Sequence, residues 1–143
     1  MAFPDRIERT MKLACPPGEV WPALTTAEGL SAWFGEWATI DLRPGGAASM
    51  TFASGMTVEM RVERVEEPSV FAYTWRLPNL PEEDPRRTYV EFTLEPAGDG
   101  TLLRVTETGF AQLPVDIRGE TYESHRDGWS RELAELVEHL NGD

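Results

Sequence analysis

The chain has 143 residues, of which 41% are hydrophobic and 27% charged, a balance typical of one globular domain over residues 1–143. Acidic residues outnumber basic ones by 25 to 13, and the net charge of −12 disfavours nucleic acid and anionic membranes as partners. No apolar run is long enough to cross a bilayer, and residues 1–6 lack the apolar core of a signal peptide. With Cys15 as the single cysteine, these features predict a cytoplasmic protein with no membrane insertion.

The first elements are a strand and two short helices. Alternation of apolar and polar residues predicts a strand over residues 6–13, with Arg9 on the apolar face. Its guanidinium would then reach water at the sheet end, pair with an acid, or contact an anionic ligand group. Residues 16–25 predict a short helix disturbed by Pro22, and Thr26 is placed as the N-cap of a second one.

The middle of the chain reads as an antiparallel sheet. Between residues 38 and 108, apolar side chains recur at every second position in six segments separated by turn residues, with one longer loop over residues 77–87. Residues 118–140 then carry apolar side chains at helical spacing, with Gly128 near the middle, where we expect a close approach to the sheet or a slight kink. The predicted fold class is α+β, a curved antiparallel sheet wrapped around a long C-terminal helix.

Large side chains share the predicted inner face of this sheet and helix. They could form a closed core or line a cavity, and the residues alone leave both readings open. The polar groups available to a guest would be the Tyr73 hydroxyl, the indole N–H groups of Trp75 and Trp129, and Arg9. The complete set comprises Met50, Phe52, Met60, Tyr73, Trp75, Phe92, Trp129 and Leu133, with Trp37 near the mouth and Arg9 as the inward charge.

Five segments in order carry a resemblance to a known group. They are residues 8–25, 30–34, 42–46, 63–68 and the Gly128-Trp129 pair. Together they resemble the activator-of-heat-shock-protein-90-ATPase-like branch of the START-related, polyketide cyclase-like superfamily. Pro22 and Cys15 depart from the usual pattern. The resemblance implies a helix-grip fold with an internal cavity, in a superfamily that hosts lipid carriers, cyclases and receptors.

No motif for catalysis, metal binding or cofactor binding stands out. His125 and His139 lie 14 residues apart on one predicted helix, too far to share an ion, and are expected on its exposed surface. Neither a Gly-x-Ser-x-Gly elbow nor a phosphate loop is present. Three carboxylates alternate onto the wet face, namely Glu59, Glu63 and Glu91, whereas Glu107 is expected near the cavity rim. The sequence therefore predicts no catalytic residue, no metal ligand and no cofactor.

The function predicted from these features is binding of a small apolar or aromatic molecule between the sheet and the C-terminal helix. One alternative is a cyclase-, aromatase- or hydrolase-type enzyme that uses the same cavity. The other is a co-chaperone-like interaction domain, although eukaryotic members of the group carry an additional domain. Trp33, Phe34 and Trp37 are expected to be exposed and would form the contact of a homodimer.

Overall fold

The computed structural model describes residues 5–141, and within them a seven-stranded antiparallel sheet packs against helices. The sheet order is β1-β7-β6-β5-β4-β3-β2. The strands are β1 (Arg6–Leu13), β2 (Trp37–Ile40), β3 (Ala47–Thr51), β4 (Thr57–Glu66), β5 (Val70–Arg76), β6 (Arg87–Ala97) and β7 (Gly100–Thr108). The helices are α1 (Pro17–Thr25), α2 (Ala27–Trp33), the 3-10 turn Phe110–Gln112, and α3 (Val115–Asn141).

The element order predicted from the sequence is confirmed: one strand, two short helices, six strands and a long helix. Pro22 stands inside α1, which is nine residues long. The next helix begins at once because Thr26 caps it, accepting a hydrogen bond at Oγ1 from the Gly29 N–H at 2.9 Å. α3 begins three residues before the predicted start and ends at Asn141. The sequence favours residues 141 and 142 as the C-cap of this helix, and residue 142 lies outside the described residues.

The core lies between the inner face of the curved sheet and the helices. Along β6 and β7 every second side chain is buried, as the alternation predicts. Each fully buried aliphatic or aromatic side chain contributes about 1.5–3 kcal/mol through removal of apolar surface from water. The fully buried members of this core are led by Tyr73, Phe71, Phe92, Phe110, Leu24, Leu30, Met50, Leu103 and Leu136.

The expected exposure of Trp33 and Phe34 and the expected close approach of the sheet at Gly128 are both wrong. Trp33 and Phe34 are only 5% and 4% exposed because their rings stack in the core at the end of α2, so they cannot form a surface patch. Trp37, on the edge strand β2, is 68% exposed. Gly128 was expected to allow close packing, but a Cβ there would meet only Arg131 Nη2, at 3.8 Å. The sheet does not approach the helix backbone at this point.

Candidate functional site

A cavity of about 720 Å³ lies between α3, the end of α2 and one end of the sheet. Buried rings form its floor, and exposed side chains from the β3–β4 turn and α3 form its rim. Its lining consists of Trp33, Phe34, Gly35, Glu36, Phe52, Ala53, Ser54, Met56, Val58, Trp75, Arg76, Pro78, Ser124, His125, Gly128, Trp129, Arg131, Glu132 and Glu135. The sequence prediction of an internal space is therefore matched by a cavity of ligand-binding size.

The floor of the cavity is an aromatic cluster centred on Phe34. Its ring centroid lies 5.4 Å from Trp129, 5.7 Å from Phe52 and 5.9 Å from Trp75. Trp75 and Trp129 stack on each other at 5.9 Å with an interplanar angle of 27°. Such offset and edge contacts are the favoured arrangements of aromatic rings, so the floor is a fixed apolar surface.

A carboxylate, Glu107, is completely buried behind this floor. Its Oε2 accepts hydrogen bonds from Thr88 Oγ1 at 2.6 Å, His125 Nδ1 at 2.8 Å and Trp75 Nε1 at 2.9 Å. Its Oε1 accepts one from Trp129 Nε1 at 2.7 Å. The four donors come from β5, β6 and α3, three of them to Oε2 and one to Oε1, and these bonds offset the cost of burying the charge.

The electrostatics of this group agree with its geometry. Burial by itself raises the pKa of Glu107, but the hydrogen bond from His125 and the electrostatic interaction with that ring, with the bonds from Thr88 and Trp129, outweigh it and leave the pKa below its ordinary value. Glu107 is therefore ionised at neutral pH. Its negative charge also acts on Tyr73, where burial first and Glu107 second raise the pKa well above 10.

His125 connects the buried carboxylate to the cavity. An ionised carboxylate can only accept hydrogen bonds, so Nδ1 of His125 must be the donor. The ring stands edge-to-face against Trp75 at 5.7 Å and Phe110 at 5.5 Å, which fixes its orientation. The side chain is 18% exposed and lines the cavity. The arrangement is that of an oriented imidazole on the cavity lining, with Nδ1 bound to Glu107.

Comparison with known proteins identifies the family of this chain. Residues 14–141 match the family model described as Activator of Hsp90 ATPase homolog 1-like protein. The chain belongs to this family. The match spans β2–β7 and all the helices, including each side chain of the Glu107 cluster, and the family resemblance predicted from the sequence is confirmed.

Solved structures confirm the helix-grip fold of this member of the Hsp90-activator-like family. A protein from Mesorhizobium loti is 25% identical, with a TM-score of 0.82 over 96% of this chain and 98% of its own. An HSP90 activator from Plasmodium falciparum is 21% identical, with a TM-score of 0.78 over 97% of both chains. The Aha1 dimer from Colwellia psychrerythraea is 20% identical, with a TM-score of 0.75 over 94% and 95%. No functionally curated protein matches the chain.

The ten residues predicted to contact a ligand fall into different places in this Hsp90-activator-like protein. Phe52, Trp75 and Trp129 line the cavity. Trp37 points to solvent on β2 and is not part of the lining. The remaining apolar members are buried in the core away from the cavity wall, namely Met50, Met60, Tyr73, Phe92 and Leu133.

Arg9 does not reach the cavity. Its Nε donates to Ser130 Oγ at 3.2 Å and its Nη2 to the Arg126 carbonyl at 3.4 Å, both on α3. The guanidinium is therefore used to join β1 to the helix, and Arg9 is dropped as a ligand contact.

The other polar groups expected to meet a ligand are also engaged or enclosed. The indole N–H groups of Trp75 and Trp129 both point to Glu107. The Tyr73 hydroxyl is fully buried and has no hydrogen-bond partner among the described residues. The expectations for His125 and Glu107 are also wrong. His125 lines the cavity and does not lie on the exposed surface of the helix, and Glu107 is buried and does not lie on the rim.

A signal for both residues is present in the sequence. Glu107 continues the inward alternation of Leu103 and Val105 along β7. His125 lies four residues before Trp129, which puts both on one face of α3. Period-two and period-3.6 spacing together would have pointed a carboxylate and an imidazole at the same interior.

Other site types find no support in the part of the chain from 5 to 141. Those residues contain no cluster of three or more His, Cys, Asp or Glu side chains arranged to hold a metal ion. None of the helices formed by them has the length and apolar character needed to cross a bilayer.

Proposed function

We propose that this Hsp90-activator-like protein binds a small apolar or aromatic molecule in the cavity between the sheet and α3, with residues 1–143 acting as one domain. The observation that carries the proposal is the 720 Å³ space floored by aromatic rings. Its size falls within the range of about 300–1,000 Å³ found for small-molecule sites. The three predicted contacts that line it, Phe52, Trp75 and Trp129, remain candidate ligand-binding residues.

The floor is preorganised, which favours binding. Trp33 Nε1 donates to the Ala23 carbonyl at 2.7 Å, and Trp75 and Trp129 are held by Glu107. Because contacts within the protein already immobilise these rings, binding a guest carries little cost of ordering them. Only their faces and edges are presented to the cavity, so the preferred guest is flat and largely apolar.

Charges on the rim narrow the class of ligand. The lining includes three acidic side chains, Glu36, Glu132 and Glu135, and two arginines, Arg76 and Arg131. Arg76 lies 3.5 Å from Glu59 and Arg131 lies 3.8 Å from Glu132, so the positive charge of each arginine is partly offset by a neighbouring carboxylate. Together with the net charge of −12, this rim favours neutral over anionic guests.

Titration with a neutral environment-sensitive dye such as Nile red tests the proposal. Gly128→Leu is the informative variant, because Gly128 lines the cavity and a Cβ there meets only the flexible end of Arg131. Gly119→Leu is the matched control, since Gly119 is also on α3, has nothing within 4 Å of its Cβ position and is not part of the lining.

We expect dye affinity to fall by at least about tenfold in Gly128→Leu, equivalent to about 1.4 kcal/mol, and to stay at the wild-type level in Gly119→Leu. The helical circular dichroism of both variants should match the wild type, because a glycine-to-leucine change favours a helix at either position. Absence of dye uptake by the folded wild type, or equal affinity in both variants, would rule out the cavity as the binding site.

Catalysis in the same cavity is the second candidate, favoured by one observation. A cyclase- or hydrolase-type reaction needs an inward polar group that can move a proton, and His125 is such a group, backed by Glu107 at 2.8 Å. Turnover of an aromatic ester or a ketide-like substrate that is lost in His125→Asn would support it. Retention of full turnover in that variant would exclude His125 from the reaction.

Formation of a homodimer stays a proposal, through a smaller contact surface than the sequence predicted. Since Trp33 and Phe34 are buried, the predicted homodimer contact is left with Trp37 on the edge strand β2. An exposed edge strand can pair with a second copy. Sedimentation of the wild type and Trp37→Lys should show a dimer that the substitution weakens. A wild type that stays monomeric at high concentration would exclude it.

A further inference from the structure

We infer that His125 is the proton acceptor of the cavity, and that the preferred guest is a neutral aromatic molecule with a weakly acidic hydroxyl, of the phenol or enol class. This inference rests on the proposed ligand binding and specifies its chemistry. It gives a role to the pair of Glu107 and His125, because a core that served only stability would not require a buried charge.

The first step concerns the proton on the imidazole. Glu107 accepts hydrogen bonds from Trp75, Thr88 and His125 at Oε2 and from Trp129 at Oε1, so both of its oxygens act as acceptors. Nδ1 of His125 must carry the hydrogen that it shares with Oε2. In the neutral ring, Nε2 is then the nitrogen with the free lone pair.

The second step concerns where that lone pair points. The two ring nitrogens face different sides of an imidazole, so Nε2 lies on the side away from Glu107. No hydrogen bond joins Nε2 to any other side chain or carbonyl within residues 5–141, whereas the ring itself lines the cavity. Edge contacts with Trp75 and Phe110 keep the ring from turning. A guest hydroxyl on the cavity floor would therefore meet a basic nitrogen.

The third step is the proton transfer. The guest O–H bond breaks, its proton forms a bond to Nε2, and the oxygen keeps the electron pair. Nδ1–H stays with Glu107, so the His125–Glu107 pair changes from one negative charge to none while the guest becomes an anion next to an imidazolium. The apolar rings of the floor lower the local polarity and so strengthen this charge pair.

Other charged groups near the cavity do not take the place of His125 as the proton acceptor. Besides Glu107 on β7, the ionisable groups around His125 are Tyr73 behind the floor, which faces Glu107, and the rim residues Glu36, Arg76, Arg131, Glu132 and Glu135. The rim arginines are paired with Glu59 and Glu132. An acidic rim admits the neutral hydroxyl form of a guest, and the charge develops only next to His125.

The experiment uses 4-nitro-1-naphthol and its O-methyl ether, two flat probes of which only the naphthol has a hydroxyl proton, with full-length protein. Binding is measured by fluorescence quenching of the tryptophans, and the ionisation of bound naphthol is read from its visible absorbance below the pKa of the free compound. His125→Asn is the variant, because an asparagine amide can still donate to Glu107 in place of Nδ1 but supplies no group in place of Nε2. His139→Asn, at an exposed position on α3, is the control.

We expect the wild type and His139→Asn to bind the naphthol at least about tenfold more tightly than the ether and to show the absorbance of the naphtholate. In His125→Asn, the ratio of the two affinities should approach one and the naphtholate absorbance should disappear. A wild type that binds both probes equally, or binds the naphthol without its proton loss, overturns the inference while leaving the proposed function intact.

Two further outcomes separate the proposals. If neither probe binds the folded wild type, both the inference and the proposed cavity function fall. If His125→Asn does not fold, His125→Gln takes its place, because its amide also supplies a donor and no basic nitrogen.

Discussion

Replacement of Glu107 by glutamine tests the buried cluster on which the site depends. Glutamine has the same shape but only one acceptor oxygen. If that oxygen takes the place of Oε2, it keeps Trp75, Thr88 and His125 as donors. The new NH2 group then faces the Trp129 N–H, at the position where Oε1 accepts a 2.7 Å hydrogen bond in the wild type. Two donors would point at each other in a site with no solvent access.

The magnitude follows from these bonds. Loss of the Trp129 bond removes a hydrogen bond to a charged group, about 1.5–3 kcal/mol, and the three retained bonds weaken because their acceptor is now neutral. Relief of the desolvation of a buried carboxylate offsets part of this loss. We therefore expect Glu107→Gln to lower the free energy of unfolding by roughly 2–4 kcal/mol, a large share of the roughly 5–15 kcal/mol typical of a domain.

Urea unfolding followed by circular dichroism at pH 7 measures the effect, and Glu59→Gln is the control because the Glu59 side chain is 72% exposed. Trp129→Phe completes a double-mutant cycle. In the wild type it leaves Oε1 without a donor, whereas in Glu107→Gln it removes the donor–donor conflict, so a coupling of at least about 1 kcal/mol is expected. If Glu107→Gln behaves like Glu59→Gln, or the cycle shows no coupling, the described hydrogen-bond cluster is not what holds the carboxylate.

Three further predictions concern the same core. Because the pKa of Glu107 is lowered by folding, its ionised form contributes stability that is complete above the ordinary value of 4.5 and is lost as the pH falls through the lowered folded-state pKa. Acid unfolding should accordingly be steeper in the wild type than in Glu107→Gln, and identical curves would contradict this. Tyr73→Phe should leave the unfolding free energy unchanged or raise it by up to about 1 kcal/mol, since the hydroxyl is buried without a partner among the described residues. Gly100→Ala should lower the melting temperature, because the added Cβ would collide with the Leu13 carbonyl oxygen. Gly119→Ala has open space around it and should raise the melting temperature, because alanine favours a helix by about 1 kcal/mol over glycine. Shifts of the same sign in the two variants would refute the packing argument.

Local periodicity determined the elements of this protein. The alternation of residues 6–13 predicts β1 with the bounds that the structure has. The regular turns between residues 38 and 108 predict six more strands, and the helical spacing after Arg118 predicts α3. These patterns depend on neighbours within a few positions, and for that reason they can be read without a tertiary structure.

The family could also be predicted from the sequence, because its motifs are local patterns that occur in a fixed order along the chain. Residues 8–25 and the Gly128-Trp129 pair kept their places relative to the strands, and the match over residues 14–141 confirms that interpretation. What a motif cannot convey is which of its side chains faces an open space. Trp129 lines the cavity, whereas Leu133, one turn later on the same face, is packed in the core.

The site itself was decided by the tertiary structure. Glu107 and His125 are 18 residues apart, on a strand and a helix, and meet only because α3 lies across β5, β6 and β7. Their spacing along the chain carries no sign of that contact, and a lone histidine on a polar helix is ordinarily exposed. Sequence alone could put each residue on the inner face of its own element. The distance between those elements, and so the pairing of an ionised carboxylate with an imidazole at the edge of a cavity, depends on how the sheet curves around the helix.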